Sequence, residues 1–428
     1  MTSDKPKDPS AITQIAYLVS RYPAVSHTFI LNEVIRLRGL GIEIKTASIN
    51  NPDRSPATMT SSERLEHEGT YYVKQHGVTG AVAALFWQFK TPSRLFTALT
   101  KAIALGGANP RKTMLMLFYL VEAMMISRWM AKNELTHLHV HFASQAATVG
   151  LLLKHISSYG YSLTVHGPDE FYNVNEQHLK QKLIAADFVV CISAFARSQL
   201  MFLSDASHWH KFIVCRLGID PTKFKPTNRS NRTSRSNLFR VLCVGRLVSA
   251  KGQLILIQAC KELIEQHQYV RLVIVGSGPD MSTLKAYVSQ LALDDYVIFT
   301  GALNHDQIVD EYANAHAFVL ASFAEGIPVV LMEAMASGVP VVSTRITGVA
   351  ELIQDNQDGL LVSPSDVSEL SAALGSLMDD PQRGARFTHS ARQKVMLKFN
   401  LDQNVNELAN IFRLKVANSH LKRPAKDF

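Results

Sequence analysis

The sequence predicts an α/β protein: two doubly wound, Rossmann-like parallel-sheet domains facing each other across a cleft. Three observations predict it. Short β-rich runs alternate with helical spacing from end to end, the pattern of parallel strands joined by crossover helices. The segment Lys225–Asn237, KPTNRSNRTSRSN, carries no apolar residue and reads as a flexible connector. After it the alternation starts again, and 428 residues suit two or three domains at roughly 150 residues each.

In the first half the expected strands are Gln14–Ser20, Ile42–Ile49, Leu138–Phe142, Ser162–His166, Asp187–Ile192 and Phe212–Leu217. Between the second and third lies Gly80–Asn133, helical, apolar and broken at Thr91-Pro92 and Gly106-Gly107. It mixes Phe86, Trp87, Phe89 and Phe96 with Lys90, Arg94, Lys101, Arg111 and Lys112. That mixture suits either a face lying on a membrane surface or helices packed on their own sheet with solvated cations. Within it, Thr113–Ala131 is nearly long enough to span a bilayer. Glu122 and Arg128 in its interior favour a core helix instead.

The second half offers strands at Phe239–Val244, Arg271–Val275, Val297–Thr300, Ala317–Ala321, Val339–Ser343 and Gly359–Val362, with helices such as Gln253–Gln266 and Pro279–Leu291 between them. The expected division is residues 1–226 as a first Rossmann-like domain, 227–237 as linker and 238–382 as a second. The helices of 383–428 are expected to pack back towards the first domain.

Composition narrows the chemistry. Lys and Arg number 44 against 36 Asp and Glu, a net charge of +8, which suits anionic partners: sugar nucleotides, a phospholipid surface or nucleic acid. Four well-separated cysteines offer no metal spacing or disulfide framework, so a reducing, cytoplasmic setting is expected. The polar first ten residues contain no apolar signal core. Walker, GxSxG and HExxH patterns and nucleic-acid modules are absent from the sequence.

The densest chemical signal is Ser322–Pro340, SFAEGIPVVLMEAMASGVP. Glu325 stands in a turn after a strand, and a helix carrying Val329–Ala336 follows from about Ile327–Pro328. Carboxylates near such a junction accept hydrogen bonds from vicinal hydroxyls, and the helix start adds N–H donors. Glu325 could also serve as a helix-dipole carboxylate. Glu333 interrupts an apolar run, where a carboxylate without a partner is costly. In VGRLVSAKG, Arg246 offers a planar fork and Lys251 a compact charge for a diphosphate; solvated loop cations are the plainer reading. Gly278 in VGSGP and Gly301 after VIFT allow close backbone approach or simply turn the chain.

In the first half, VHGPDE places His166 at a strand end, where a Gly-Pro turn would expose it to hydrogen-bond a substrate. A satisfied structural histidine is the alternative. His139 and His141 alternate in HLHVHF, but no third ligand accompanies them, so no metal site is expected. Ser26, His27 and Thr28 could meet an acceptor or cap the following helix.

Taken in order, these motifs resemble the retaining, metal-independent glycosyltransferases of the GT4 family (glycosyl transferases group 1), which have the GT-B fold. Glu325 and Glu333 form its E-x7-E element, GRLVSAKG its GR-x4-KG segment, and GSGP its GxGP turn. VHGPD matches its THGxD type, and Leu217–Phe224, LGIDPTKF, its GVD-x3-F signal. The resemblance implies that Glu333 holds the donor ribose, that Arg246 and Lys251 clamp the diphosphate, and that Glu325 contacts the donor sugar. The backbone of Gly326, Ile327 and Pro328 would lie near that sugar, with Gly278 and Gly301 lining the base pocket. His166 and Glu325 are the implied catalytic residues, and Ser26, His27, Thr28 and Asp169 the acceptor-side candidates.

One departure is informative. Relatives carry a glycine-rich loop after the first strand, whereas this chain has SRYPAVSHTFILNE, resembling bacterial exopolysaccharide and colanic-acid-type enzymes. The implied reaction is transfer of a hexose from a UDP- or GDP-sugar, with anomeric retention, to a lipid-linked oligosaccharide. No metal or other cofactor is implied. The implied location is the cytoplasm, with peripheral contact at the inner face of the plasma membrane. The alternatives are a GT-B-like epimerase or phosphorylase, or a non-catalytic sugar-nucleotide-binding subunit.

Overall fold

The structure, a computed structural model, describes residues 13–226, 238–267 and 269–421, without the side chains of Ser26, His305 and residues 417–421. The expected linker, 227–237, lies outside the described residues. The chain forms two units. One runs to Ile192 and takes in Arg197–Cys215 and the chain from Val405 onward; the other holds Ser193–Ala196 and Arg216–Asn404. Arg216–Pro226 groups with the second unit because Ile219 exchanges backbone hydrogen bonds with Phe399 and Leu401, each of 2.9 Å. The helix Pro381–Lys398 also stays with that unit, and Leu401–Leu421 passes to the first at Val405.

The first unit is built on seven parallel strands: β1 (Gln14–Arg21), β2 (Glu43–Asn50), β3 (Tyr71–Tyr72), β4 (His137–His141), β5 (Gly160–Val165), β6 (Phe188–Cys191) and β7 (Phe212–Val214). Their order is β3-β2-β1-β4-β5-β6-β7. The sheet therefore grows outward in both directions from a switch point between β1 and β4, where doubly wound sheets bind ligands. β3 was not expected, because two residues are too short to show a strand period.

β4 is wholly buried although three of its five residues are histidines. Burial of imidazoles is tolerable when their nitrogens are bonded. Ser162 Oγ lies 2.7 Å from His137 Nε2 and 2.8 Å from His139 Nδ1, and Thr164 Oγ1 lies 2.8 Å from His139 Nε2. The alternating histidines thus form a hydrogen-bonded seam between β4 and β5.

The insertion folds as three helices, Gly77–Gln88, Pro92–Gly106 and Pro110–Lys132, breaking at the expected Thr91-Pro92 and Gly106-Gly107. Among the described residues, Pro110–Lys132 is the one helix long and apolar enough to cross a membrane, and 44% of its most apolar window is buried. Met116, Leu120, Ala123, Met124 and Ile126 give it a buried face, and it packs against the other two insertion helices and Gln145–Ile156. The core-helix reading describes that face alone, since Met114, Leu115 and Phe118 are exposed.

The second unit has six parallel strands: β8 (Phe239–Val244), β9 (Val270–Val275), β10 (Val297–Gly301), β11 (Ala317–Leu320), β12 (Val341–Thr344) and β13 (Leu360–Val362). Their order, β10-β9-β8-β11-β12-β13, puts the switch point between β8 and β11. The loops leaving those two strands consequently lie side by side. Beneath them Val241, Leu256, Leu272, Val319, Val342 and Leu370 form a continuous apolar core. Both sheets have the parallel, doubly wound architecture read from the sequence.

The returning C-terminal helix completes the first unit by inserting Phe412, fully buried, between Tyr17, His139 and Phe188. Phe412→Ala should therefore cost about 3–5 kcal/mol in a urea unfolding transition of the first unit. An unchanged midpoint would show that the helix does not contribute to that core.

Candidate functional site

In the second unit the chain leaves β8 through Gly245-Arg246-Leu247 and turns at Ser249–Lys251 into the helix Gln253–Gln266. Gly252, at φ +62°, closes that turn, and a Cβ there would sit 2.1 Å from Ala321 O. The close approach brings the β8 loop against the β11 loop, and Phe323 N donates to Ala250 O at 2.8 Å. Across this junction Lys251 Nζ pairs with Glu325 Oε1 at 2.5 Å. Ser322 Oγ donates to the same oxygen at 2.7 Å, and among the described residues Glu325 Oε2 is bonded to nothing.

The backbone of Glu325 is pinned as well. Its N–H donates to Thr347 Oγ1 at 3.3 Å, and the Thr347 hydroxyl donates back to Glu325 O. Thr347 holds φ at +29°, strained for a threonine and found where the surroundings over-determine a loop. Next to it, a Cβ on Gly348 would lie 1.7 Å from Gly326 O. Sequence reasoning missed Ser322, Thr347 and Gly348; the Thr-Gly pair after β12 was the available signal.

Glu325 stands four residues before the helix Val329–Ala336, which has no acidic residue in its first turn. The helix-dipole reading is thereby replaced by an ion pair in the preceding loop. Gly326 and Ile327 lead from Glu325 to Pro328, which caps the helix, and their amides have no acceptor among the described residues. Arg246 is exposed, and among the described residues its guanidinium pairs with no carboxylate. Gln253 Nε2 holds the Arg246 carbonyl at 2.9 Å. The same strand-end rim includes Gly276–Pro279 and Gly301. Leu247 N reaches Ser277 O at 3.0 Å, and Gly276 N reaches Gly301 O at 2.8 Å. Gly278 has no room for a Cβ, which would meet Leu247 O at 2.2 Å, whereas Gly301, at φ +74°, faces open space.

Glu333, on the helix Val329–Ala336, is half-buried and accepts from Tyr312 Oη at 2.9 Å. Burial pushes its carboxyl up to about 7 while the Tyr312 hydroxyl pulls the other way. A raised carboxyl holds its proton in the folded chain after the unfolded chain has released it. Stability from this group is therefore full below about pH 4.5 and lost as pH rises through about 7. Glu333→Gln should flatten that decline; urea midpoints measured from pH 4.5 to 8 that fall equally in both proteins would contradict the assignment.

In the first unit β5 ends at Val165, and His166 begins the turn. The sequence expected the Gly-Pro turn to expose this histidine, yet it is only 8% exposed. The rings of Phe142 and Phe29 cover it at 4.3 and 5.1 Å between centroids. Phe142 reaches it from a left-handed backbone, φ +68°. His166 Nε2 lies 3.1 Å from His141 Nδ1, His141 Nε2 3.2 Å from Glu33 Oε1, and Tyr17 Oη donates to that oxygen at 2.8 Å. Burial first, and then His141 and His27, hold the His166 imidazole well below the usual histidine range, so it is neutral at pH 7.

The turn itself rests on Glu170, whose Oε2 accepts from His166 N at 2.5 Å and Gly167 N at 2.8 Å, and whose Oε1 accepts from Ala143 N. Lys182 Nζ, buried beside it, donates to Ala143 O and Ser144 O, each at 2.8 Å. Sequence reasoning named Asp169, which is exposed, and passed over Glu170, which is buried. Thr28 opens the helix Thr28–Gly39 and is exposed, and His27 precedes it without a capping bond. His27 packs instead on Phe142 at 5.0 Å. The side chain of Ser26 lies outside the described residues. Within each unit, then, the predicted residues whose side chains are described, Glu333 on its helix apart, lie at or just after the carboxyl ends of the strands.

Residues 224–394 match the family model described as "Glycosyl transferases group 1". The second unit belongs to that family. Likeness extends beyond it: the amylovoran biosynthesis glycosyltransferase AmsK of Erwinia amylovora is 28% identical over 411 residues, covering 93% of this chain and 98% of AmsK. A GDP-mannose-dependent alpha-(1-6)-phosphatidylinositol monomannoside mannosyltransferase of Mycolicibacterium smegmatis is 29% identical over 288 residues, 64% of this chain and 75% of that protein. Among solved structures, Anabaena Alr3699/HepE in complex with UDP-glucose superposes with a TM-score of 0.70 at 18% identity, covering 93% of this chain and 98% of that one. The fold is GT-B, and the chain is a glycosyltransferase.

Proposed function

We propose that this glycosyltransferase moves a hexose from a UDP- or GDP-sugar to a lipid-linked oligosaccharide in exopolysaccharide biosynthesis, keeping the anomeric configuration and using no metal. The observation that carries the reading is the rim of the second unit. Arg246, unpaired among the described residues, and the Lys251–Glu325 pair sit where the loops of β8 and β11 run together, and Glu333 is carried by the helix that follows. The exopolysaccharide setting is supported by the name of AmsK, and a nucleotide-sugar donor by the UDP-glucose bound to HepE.

In this reading Arg246 grips the diphosphate through its planar fork and Lys251 adds a point charge. As the bond between the anomeric carbon and the phosphate oxygen breaks, negative charge grows on the departing diphosphate, and these fixed cations stabilise it. The acceptor oxygen bonds to the same face of the anomeric carbon, and its proton passes to the departing phosphate. Glu325, fixed by Lys251, Ser322 and Thr347, offers Oε2 to the donor sugar, with the Gly326–Pro328 main chain beside it. Glu333 accepts from the ribose hydroxyls, and Gly278 and Gly301 border the base. His166, being neutral, donates or accepts a hydrogen bond at the sugar rather than supplying charge. Two cations take the place that a divalent ion would otherwise fill.

The first two insertion helices and the turn between them expose Phe86, Phe89 and Phe96 among Lys90, Arg94 and Lys101, a composition suited to anionic lipid at the inner membrane face. Peripheral binding there would bring the enzyme to a lipid-linked acceptor.

Arg246→Ala and Glu325→Ala should each lower nucleotide release from the preferred donor about 100–1,000-fold with an unchanged circular dichroism spectrum, and EDTA should leave the wild-type rate as it is. Near-normal turnover in either variant, or abolition by EDTA, would contradict the assigned roles. Proton NMR of the first-formed product should show the donor's anomeric configuration. In flotation with vesicles rich in phosphatidylglycerol, Phe86→Asp with Phe89→Asp should leave the protein in the unbound fraction; co-flotation like wild type would remove the membrane role.

A further inference from the structure

Two buried ionisable side chains of the first unit have no part in the chemistry assigned above. Glu170 is 5% exposed and Lys182 1%, and such groups are costly to bury unless they are bonded. They come from the short helices Asp169–Tyr172 and Leu179–Ala185, yet both reach the same residue in the loop after β4. Glu170 Oε1 accepts from Ala143 N, and Lys182 Nζ donates to Ala143 O at 2.8 Å. Both backbone polar groups of Ala143 are therefore held by buried side chains. Lys182 also donates to Ser144 O at 2.8 Å, and Glu170 Oε2 accepts from His166 N at 2.5 Å and Gly167 N at 2.8 Å. One carboxylate thus ties the β4 loop to the β5 turn.

That task requires a carboxylate. All three partners of Glu170 are N–H donors, and only a side chain that accepts on both oxygens serves them together. Burial raises the Glu170 carboxyl, and the three amides and Lys182 draw it back. An amide side chain of the same shape would turn its own NH2 group toward one of the donors. Glu170→Gln must therefore release either Ala143 or the His166 turn.

The residue held by this clamp is Phe142. Its φ of +68° is unfavourable for a bulky residue, whereas glycine adopts such a conformation freely. The conformation is fixed from both sides. Phe142 N donates to Thr164 O at 3.0 Å, and Glu170 and Lys182 hold Ala143, the next residue. A loop that only connected β4 to the helix Gln145–Ile156 could carry glycine here without strain, and strain of this kind persists where it serves a site. Here the strained backbone delivers an aromatic ring, 4.3 Å from His166 and 5.0 Å from His27 between centroids.

We infer that Glu170 and Lys182 are positioning residues for the transfer reaction, clamping Phe142 in its left-handed conformation so that its ring fixes the His166 imidazole. The inference rests on the reading of His166 above as the group that hydrogen-bonds the sugar.

The test compares Glu170→Gln, Lys182→Met and Phe142→Gly with His166→Ala and wild type, all as full-length protein. Nucleotide release from the preferred donor should fall about 100-fold in the first three variants, in kcat rather than KM. Affinity for UDP or GDP should be unchanged. Phe142→Gly decides the matter if the buried variants fold poorly, because glycine relieves the strain at that position. In protein labelled with carbon-13 at histidine Cε1, the His166 signal, assigned by its loss in His166→Ala, should move in Glu170→Gln. Wild-type kcat in Phe142→Gly, or an unmoved His166 signal in Glu170→Gln, beside a disabled His166→Ala would overturn the clamp alone. A His166→Ala variant as fast as wild type would overturn the reading of His166, and the clamp's role in the reaction with it.

Discussion

The second unit depends on the contact between the β8 and β11 loops, where Gly252 lets the main chain approach Ala321 and Lys251 meets Glu325. Strand order alone brings these loops together, because the sheet is wound outward from that seam. The ion pair then fixes which way each side chain points. Breaking it from one side would leave a largely buried charge without its partner, so the two residues are interdependent in a way that neither loop sequence reveals. Thr347 and Gly348, from the loop after β12, hold the same carboxylate from behind through its backbone.

Protonation follows from this arrangement. At the seam Lys251 is paired with Glu325, Arg246 is unpaired among the described residues, and burial raises the Glu333 carboxyl on the following helix. An anionic ligand therefore finds the Arg246 guanidinium uncommitted there. In the first unit burial works in the other direction: His166 is kept neutral under its aromatic cover, with Tyr17, Glu33 and His141 behind it. One unit presents charge and the other presents neutral hydrogen-bonding groups, a division suited to holding a diphosphate in one and hydroxyl-rich sugars in the other.

The parallel sheets were legible because their buried strands are continuous apolar runs bounded by turns, and β8 and the helix Gln253–Gln266 begin and end where the sequence placed them. The positions of Arg246, Lys251 and Glu325 were legible because they follow strand ends, and that of Glu333 because it interrupts an apolar helical run. Other features depend on contacts across the sheet and leave no local trace. Glu170 and Asp169 are equivalent in sequence, and only the turn geometry buries the first and exposes the second. Likewise the exposure expected of His166 was lost to Phe142 and Phe29, residues from other elements. The two-residue β3 could not be read from any local period.

The central claim is that the rim of the second unit binds a nucleoside diphosphate through its phosphates. The most direct measurement is calorimetric titration with the ladders uridine, UMP, UDP and guanosine, GMP, GDP, using wild type and Lys251→Ala. The account predicts that one ladder tightens steeply at the diphosphate and that Lys251→Ala removes most of that last step while leaving the nucleoside's own affinity unchanged. Equal affinity for nucleoside and diphosphate, or a diphosphate step unaffected by losing Lys251, would contradict it.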